Sequence, residues 1–220
     1  RAEKIPLDIE NLSQVLESNG LLAKDFPAYE HRPEQVRMTQ AIAHALNNSE
    51  HLIVEAGTGT GKSVAYLLPS IFFASQNNVS VVISTNTINL QEQLIGKDIP
   101  DLLRALEVEQ NPAIKDLRAV QVKGRANYLC LKRYESLRVR ERLSLDEARL
   151  LARITVWLLS TQTGDRAELN LGGGESSAWS KLCAEFDERL EARCPHKERG
   201  TCYLYRARQA AETAHIVVVN

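Results

Sequence analysis

Apolar residues recur at helical spacing at Ile9, Leu12, Val15 and Leu16, and Asn19-Gly20 follows as a stop signal, which predicts a helix over residues 7–19. A second helix is predicted from Pro33, a first-turn proline, to Leu46. Leu52-Ile-Val54 reads as a short buried strand leading through a glycine-rich turn into a helix over residues 62–75. Residues 79–83 form the next predicted strand, a helix through Leu90 and Leu94 follows, and residues 117–122 supply a third strand. Strands alternating with helices indicate a parallel α/β sheet with helices on both faces. From about residue 128 the pattern turns helical and irregular. Ser144-x-x-Glu147 is a capping box opening a helix through Trp157, and Thr163-Gly-Asp165 and Gly172-Gly-Gly174 mark loops. The apolar run Ile216-Val-Val-Val219 reads as a buried strand at which the sheet resumes.

Composition narrows the class without naming a chemistry. The chain has 220 residues, 44 % hydrophobic and 25 % charged, which excludes a disordered or fibrous protein. No apolar run approaches the ~18 residues of a membrane span, and no secretory leader opens the chain, so a cytoplasmic protein is expected. The only methionine is Met38, so Arg1 is not read as a translation start. A core strand running to Val219 just before the last residue adds to the expectation of a piece of a longer protein. The net charge of −1 gives no whole-chain attraction for nucleic acid, yet it conceals blocks. Residues 1–114 carry −6, 115–143 carry +6, 144–191 carry −4 and 192–220 carry +3, and all four cysteines lie between 130 and 202.

The sharpest chemical signal is Ala56-Gly-Thr-Gly-Thr-Gly-Lys-Ser63, a P-loop with alanine in place of the first glycine, between a predicted strand and a predicted helix. Gly57, Thr58, Gly59, Thr60 and Gly61 let successive backbone N–H groups converge on phosphate oxygens at a helix N-terminus. Lys62 is placed to reach the β- and γ-phosphates and Ser63 to hold Mg²⁺, so a nucleoside triphosphate is the expected ligand.

The ordered set of motifs resembles the ATPase cores of superfamily 2 helicases, specifically the DinG/XPD-like group. It runs from Tyr29-Glu-His-Arg-Pro-Glu-Gln35 through the P-loop and Ser84-Thr-Asn-Thr-Ile-Asn-Leu-Gln-Glu-Gln-Leu94 to Lys123-Gly-Arg-Ala-Asn-Tyr-Leu-Cys130. Trp157 with Thr161-x-Thr-Gly-Asp165, and Cys202-Tyr-Leu-Tyr-Arg-Ala-Arg208, complete it. The resemblance implies a RecA-like P-loop parallel sheet with an inserted, mostly helical subdomain. The division expected is an N-terminal extension over 1–25, the RecA-like domain over 26–127 and 214–220, and the insertion over 128–213. It implies ATP contacts from Gln35, which reads the adenine edge, from Arg32, and from Tyr29 or Phe26 stacking on the base. Thr85 and Asn86 match the stretch that holds strand phosphates. Gln93 reads instead as part of a polar helix face. The family's DEAH-like box is expected beyond Asn220, because Asp146-Glu-Ala-Arg149 imitates it in letters only, with no apolar strand before it. Without that box and the second motor domain, the chain alone is expected to bind nucleotide weakly and hydrolyse it negligibly.

Cys130, Cys183, Cys194 and Cys202 fall where this group holds a four-iron, four-sulfur cluster, and thiolates suit iron. Ten residues separate Cys183 from Cys194, where bacterial relatives leave about four or five residues; Glu188 and Arg189 occupy the usual positions of the second cysteine. The apolar neighbours Trp179, Leu182 and Phe186 suggest a buried helix face around Cys183. Zinc, with His196 replacing Cys183, and a metal-free degenerate site stay open as alternatives. His31, His44, His51 and His215 lack ligand spacing and read as surface or packing residues.

The +6 block holds Lys115, Arg118, Lys123, Arg125, Lys132, Arg133, Arg138, Arg140 and Arg142, interleaved with Tyr128 and Tyr134, and a second basic stretch runs from Arg193 to Arg208. Cations that track a phosphate backbone beside aromatics that stack on bases suit single-stranded or forked DNA, with Arg125 and Tyr128 as the leading contacts. The function expected is that of a monomeric ATP-dependent DNA helicase moving 5′ to 3′ on single strands, in repair or resolution of DNA structures. Two alternatives remain: a nuclease-associated ATPase without helicase activity, and a nucleotide-gated DNA-binding module.

Overall fold

The computed structural model describes residues 4–26, 29–107, 114, 116–185 and 194–220. Lys115, Phe186, Glu188, Arg189 and Arg193, invoked above, lie outside the described residues. Contacts divide the chain into two compact units, residues 1–121 with 213–220, and residues 122–212.

The first unit carries a three-stranded sheet, β1 (Val81–Ser84), β2 (Ala119–Val122) and β3 (Ile216–Val219), in the order β1-β3-β2. β1 and β3 pair in parallel, Val81 opposite Ile216 through to Ser84 opposite Val219. β3 lies in the middle, and its continuous Ile-Val-Val-Val run is that of a strand covered on both faces. Helices α1 (Ile9–Val15), α2 (Leu21–Asp25), α3 (Pro33–Asn48) and α4 (Lys62–Asn77) precede β1. α5 (Ile88–Gln93) continues through a π-helical turn at Leu94–Asp98 into α6 (Ile99–Glu107).

The helix predicted over 7–19 is α1, shorter at both ends, and α2 begins just after the Asn19-Gly20 stop. Gly20 caps α2 and packs onto the end of α1, where a Cβ would come within 2.2 Å of the Gln14 carbonyl. Leu12, Val15, Leu16 and Leu22 from this pair join Leu67, Leu68, Ile71, Ile216 and Val218 in one core. The chain before α1 is held by amide side chains that imitate strand pairing. Asn77 exchanges two hydrogen bonds with the Ile5 backbone and Asn47 two with Leu7.

The expected strand at Leu52-Ile-Val54 is absent. The segment is irregular and Ile53 is 98 % exposed. A strand needs a ladder partner, and among the described residues none pairs with it.

α3 and α4 meet at a built-in vacancy. Pro69 lies inside α4 and has no N–H for the Ala65 carbonyl one turn earlier. The buried Thr39 hydroxyl of α3 donates to that carbonyl at 3.2 Å. The helix with a proline in it thus carries no orphaned acceptor there.

The second unit contains α7 (Leu131–Arg138), α8 (Leu145–Trp157), α9 (Gly173–Trp179), α10 (Pro195–Glu198) and α11 (Tyr203–Glu212), with 3-10 turns at Arg125–Asn127 and Arg166–Leu169. The predicted capping box is formed: the Ser144 side chain accepts from Glu147 N–H, and Glu147 accepts from Ser144 N–H at 2.7 Å. Trp157 and Trp179 meet edge-on at 6.4 Å in this unit's own core.

Candidate nucleotide site and cysteine pocket

α4 begins at Lys62, so the backbone N–H groups of its first turn point into the P-loop. Gly59 and Gly61 have φ of +81° and +75°, values that L side chains rarely adopt. Gly61 is required twice over, since a Cβ there would stand 2.1 Å from Gln35 Nε2. The Lys62 ammonium is turned inward, donating to the Ala56 and Gly57 carbonyls at 2.9 and 2.7 Å, and the Thr60 hydroxyl donates to Gly57 O at 3.0 Å. Thr58 sits at the exposed tip of the loop, and the Ser63 side chain faces the Tyr66 hydroxyl.

Gln35 is buried, and its amide donates to Gly61 O at 2.9 Å. The group assigned to adenine reading is thereby tied to the phosphate loop itself. The Tyr29 hydroxyl donates to Leu16 O at 2.5 Å and its ring packs, like Phe26, against the core; burial raises its pKa. Arg32, just before α3, pairs with Glu30 at 2.9 Å.

Two residues assigned to strand phosphates differ in placement. Thr85 is buried, its hydroxyl facing the Thr87 and Val219 carbonyls at 3.0 and 3.2 Å, so it ties the end of β1 to β3 and is not presented to a ligand. Asn86 is exposed. Gln91 is buried and donates to Val218 O at 2.8 Å, another tie to β3. The Gln93 amide faces the Asp98 carboxylate at 3.1 Å on the exposed surface.

In the second unit the motif residues converge on one scaffold. Tyr128 and Leu129 bridge antiparallel to Asp165 and Cys183. Leu129 N–H donates to Gly164 O at 2.9 Å and Cys130 N–H to Leu182 O at 2.8 Å. Lys123 and Asp165 form a buried ion pair, their side chains 3 % and 13 % exposed. Asp165 also caps the following 3-10 turn through Ala167 N–H. Gly164, at φ +65°, lies against Tyr203, where a Cβ would meet the ring at 2.3 Å.

Two residues of the basic, tyrosine-bearing block are thereby buried. Tyr128 is 4 % exposed, packed in the core, with its hydroxyl accepting from Lys123 N–H at 2.9 Å, so it is no stacking platform. Lys123 spends its charge on Asp165, not on a phosphate. Arg125 opens the 3-10 turn and is half-buried, while Arg138, Arg140 and Arg142 are exposed.

Cys130, Cys194 and Cys202 line one pocket of about 100 Å³ with Lys132, Arg133, Lys197, Arg208 and Glu185. Burial pushes the Cys130 thiol up, opposed by the Arg133 and Lys132 N–H groups at the start of α7. Cys183 does not line this pocket; it is 1 % exposed, faces the core and contacts Ser180 O through sulfur at 3.4 Å. His196 is engaged at both ring nitrogens, by Glu135 at 3.1 Å and Thr201 at 3.2 Å. Among the described residues, no three His, Cys, Asp or Glu side chains stand close enough to hold a single metal ion. No described helix is long and apolar enough to cross a membrane.

Residues 36–120 match the DEAD/DEAH box helicase family. The chain is 40 % identical to the ATP-dependent helicase DinG of Mycobacterium tuberculosis (strain H37Rv) over 204 residues, covering 86 % of this chain and 30 % of that protein. It is 35 % identical to the ATP-dependent DNA helicase YoaA of Haemophilus influenzae over 97 % of this chain and 32 % of that protein. It is 34 % identical to the 3′-5′ exonuclease DinG of Bacillus subtilis, over 96 % of this chain and 22 % of that protein. The chain therefore spans about a third or less of the curated relatives it matches. With the phosphate loop, its glutamine tie and the cysteine-bearing second unit all carried by matched sequence, the chain belongs to the DinG-like group of DEAD/DEAH box helicases.

Proposed function

We propose that this chain supplies the ATP site and a cluster-bearing subdomain of an ATP-dependent DNA helicase that translocates 5′ to 3′ on single-stranded or forked DNA in repair. The observation that carries the ATP site is the P-loop geometry. Two left-handed glycines present N–H groups at the start of α4, and Lys62 is held within the loop by carbonyls that a triphosphate would displace. On binding, the Lys62 ammonium exchanges Ala56 and Gly57 for phosphate oxygens, a stronger charge-assisted contact. The Ser63 hydroxyl would hold Mg²⁺, which neutralises charge on the transferring phosphoryl group. Gln35, bonded to Gly61, couples an adenine contact to the phosphate loop. Asn86, Arg125 and the exposed Arg138, Arg140 and Arg142 are the DNA contacts in this reading. The protein acts as a cytoplasmic monomer.

The cysteine pocket supports a [4Fe–4S] cluster over zinc. Cys130, Cys194 and Cys202 line one pocket, and thiolates suit iron. His196, the zinc alternative's ligand, is occupied by Glu135 and Thr201. The cluster would brace the second unit structurally.

Binding of a fluorescent ATP analogue tests the nucleotide site. Lys62→Ala should weaken it roughly ten- to a hundredfold, the worth of a charge-assisted hydrogen bond. Unchanged affinity removes the reading. In the complete protein, ATP hydrolysis that single-stranded DNA stimulates without strand separation would favour the nuclease-associated alternative, which the Bacillus relative's name supports. Nucleotide-dependent DNA binding without hydrolysis would favour the gated module.

A further inference from the structure

The segment after β1 has two faces. Asn86 and Asn89 are exposed, whereas Thr85 and Gln91 are buried. Both buried side chains reach the carboxyl end of β3. Val219 O accepts from the Thr85 N–H at 2.8 Å and faces the Thr85 hydroxyl at 3.2 Å, and Val218 O accepts from the Gln91 amide at 2.8 Å. The Thr85 hydroxyl also stands 3.0 Å from Thr87 O, and the Thr87 side chain caps α5 by accepting from Leu90 N–H. One short stretch of chain therefore holds the last two carbonyls of the middle strand and presents Asn86 to solvent between its two anchors.

The β1–β3 ladder does not depend on these two side chains. Its register, from Val81 opposite Ile216 to Ser84 opposite Val219, is made by backbone pairing. What Thr85 and Gln91 add lies at the strand end, where they fix the direction in which the chain leaves β3. Ligands of open parallel sheets bind outside the carboxyl ends of the strands, and β1 and β3 end there together. β3 also backs the helix that the phosphate loop opens, since Ile216 and Val218 share a core with Leu67, Leu68 and Ile71 of α4. Packed cores move between discrete arrangements and do not deform continuously, so a hold on the end of β3 bears on α4 as well.

We propose that Thr85 and Gln91 are positioning residues for ATP hydrolysis: by holding the last two carbonyls of β3, they make turnover respond to DNA bound at Asn86. This rests on the helicase reading above, in which the DEAH-like box follows β3. Neither side chain touches nucleotide or DNA in this reading, and both act through the strand they hold. A misplacement of about 1 Å, remote from the reacting atoms, costs about a hundredfold in rate. Losing either anchor should therefore show in turnover and not in affinity.

The test is steady-state ATP hydrolysis by the complete protein, with and without single-stranded oligo(dT). Thr85→Val and Gln91→Leu keep the size of each side chain and remove its donor, and each should lower the DNA-stimulated kcat roughly ten- to a hundredfold. The ratio of stimulated to basal rate should fall with it. KM for ATP, and oligo(dT) affinity by fluorescence anisotropy, should stay at the parent's values. Thr85→Ser keeps the hydroxyl and should restore the stimulated rate. Should Gln91→Leu fold poorly, Thr85→Val set against Thr85→Ser decides the point. A stimulated rate equal to the parent's in a folded Thr85→Val or Gln91→Leu variant overturns the assignment. So does an equal fall of basal and stimulated rates, or a loss of ATP or oligo(dT) affinity that accounts for the whole effect. A parent protein whose hydrolysis does not respond to oligo(dT) refutes the helicase reading itself.

Discussion

Replacing Lys123 by methionine would remove one half of a buried ion pair and leave the other half in place. The Lys123 and Asp165 side chains are 3 % and 13 % exposed, so the stranded Asp165 carboxylate would regain little water. Breaking a buried pair on one side costs about 3–5 kcal/mol. Asp165 retains the Ala167 N–H at 3.0 Å and slight solvent access, which argues for the lower end, about 3 kcal/mol. The readout should be local, because the chain has two compact units. Leu129 N–H donates to Gly164 O beside the pair, and its native-state hydrogen exchange should quicken roughly a hundredfold for a loss of that size. Lys123→Met combined with Asp165→Asn removes both charges and keeps a side-chain cap on the 3-10 turn, so exchange should slow again by at least tenfold relative to the single variant. If the double variant exchanges as fast as Lys123→Met, the pair is not what holds this scaffold together. A single variant indistinguishable from the parent would refute the burial argument outright.

Other expectations follow from the same contacts. Thr39→Val keeps the shape but leaves the Ala65 carbonyl without its donor inside α4, which should lower stability by about 1–3 kcal/mol in urea unfolding. Gly61→Ala places a methyl against Gln35 and forces a left-handed φ costing about 1–3 kcal/mol, so ATP-analogue affinity should fall. Adding Gln35→Ala should recover the steric part of that loss and not the backbone part, seen as partial return of stability. Hydrogen bonds from Lys181 and the Ser144 N–H hold the Glu147 carboxyl down to about 2 from 4.5. Its contribution is therefore complete above about pH 4.5 and is lost as pH falls toward 2. Glu147→Gln should flatten the acid limb of the second unit's unfolding over that range, and an unchanged limb counts against the Lys181 pairing.

Much of the site was legible because its determinants are local. A glycine-rich loop before a helix specifies its own φ values, and Gly59 and Gly61 adopt them. A capping box needs only residues three apart, and Ser144 with Glu147 forms one. An uninterrupted Ile-Val-Val-Val run marks a strand buried on both faces, which is where β3 lies. Partnership is different. The run Leu52-Ile-Val54 is likewise uninterrupted and apolar, yet it forms no strand, since a ladder requires a neighbour that sequence pattern does not identify.

The charge blocks show the same division. The sequence locates nine basic side chains over residues 115–143, and only the tertiary structure separates Lys123, buried against Asp165, from Arg138, Arg140 and Arg142 in water. Cysteine spacing placed four thiols in one subdomain, but their directions depend on the pairing of Leu129 with Cys183, a register with a period of two residues. Residue type and short spacing determine which chemistry a segment can carry. Which side chain reaches it is decided by long-range packing, because burial and direction belong to the whole fold and not to any window of the chain.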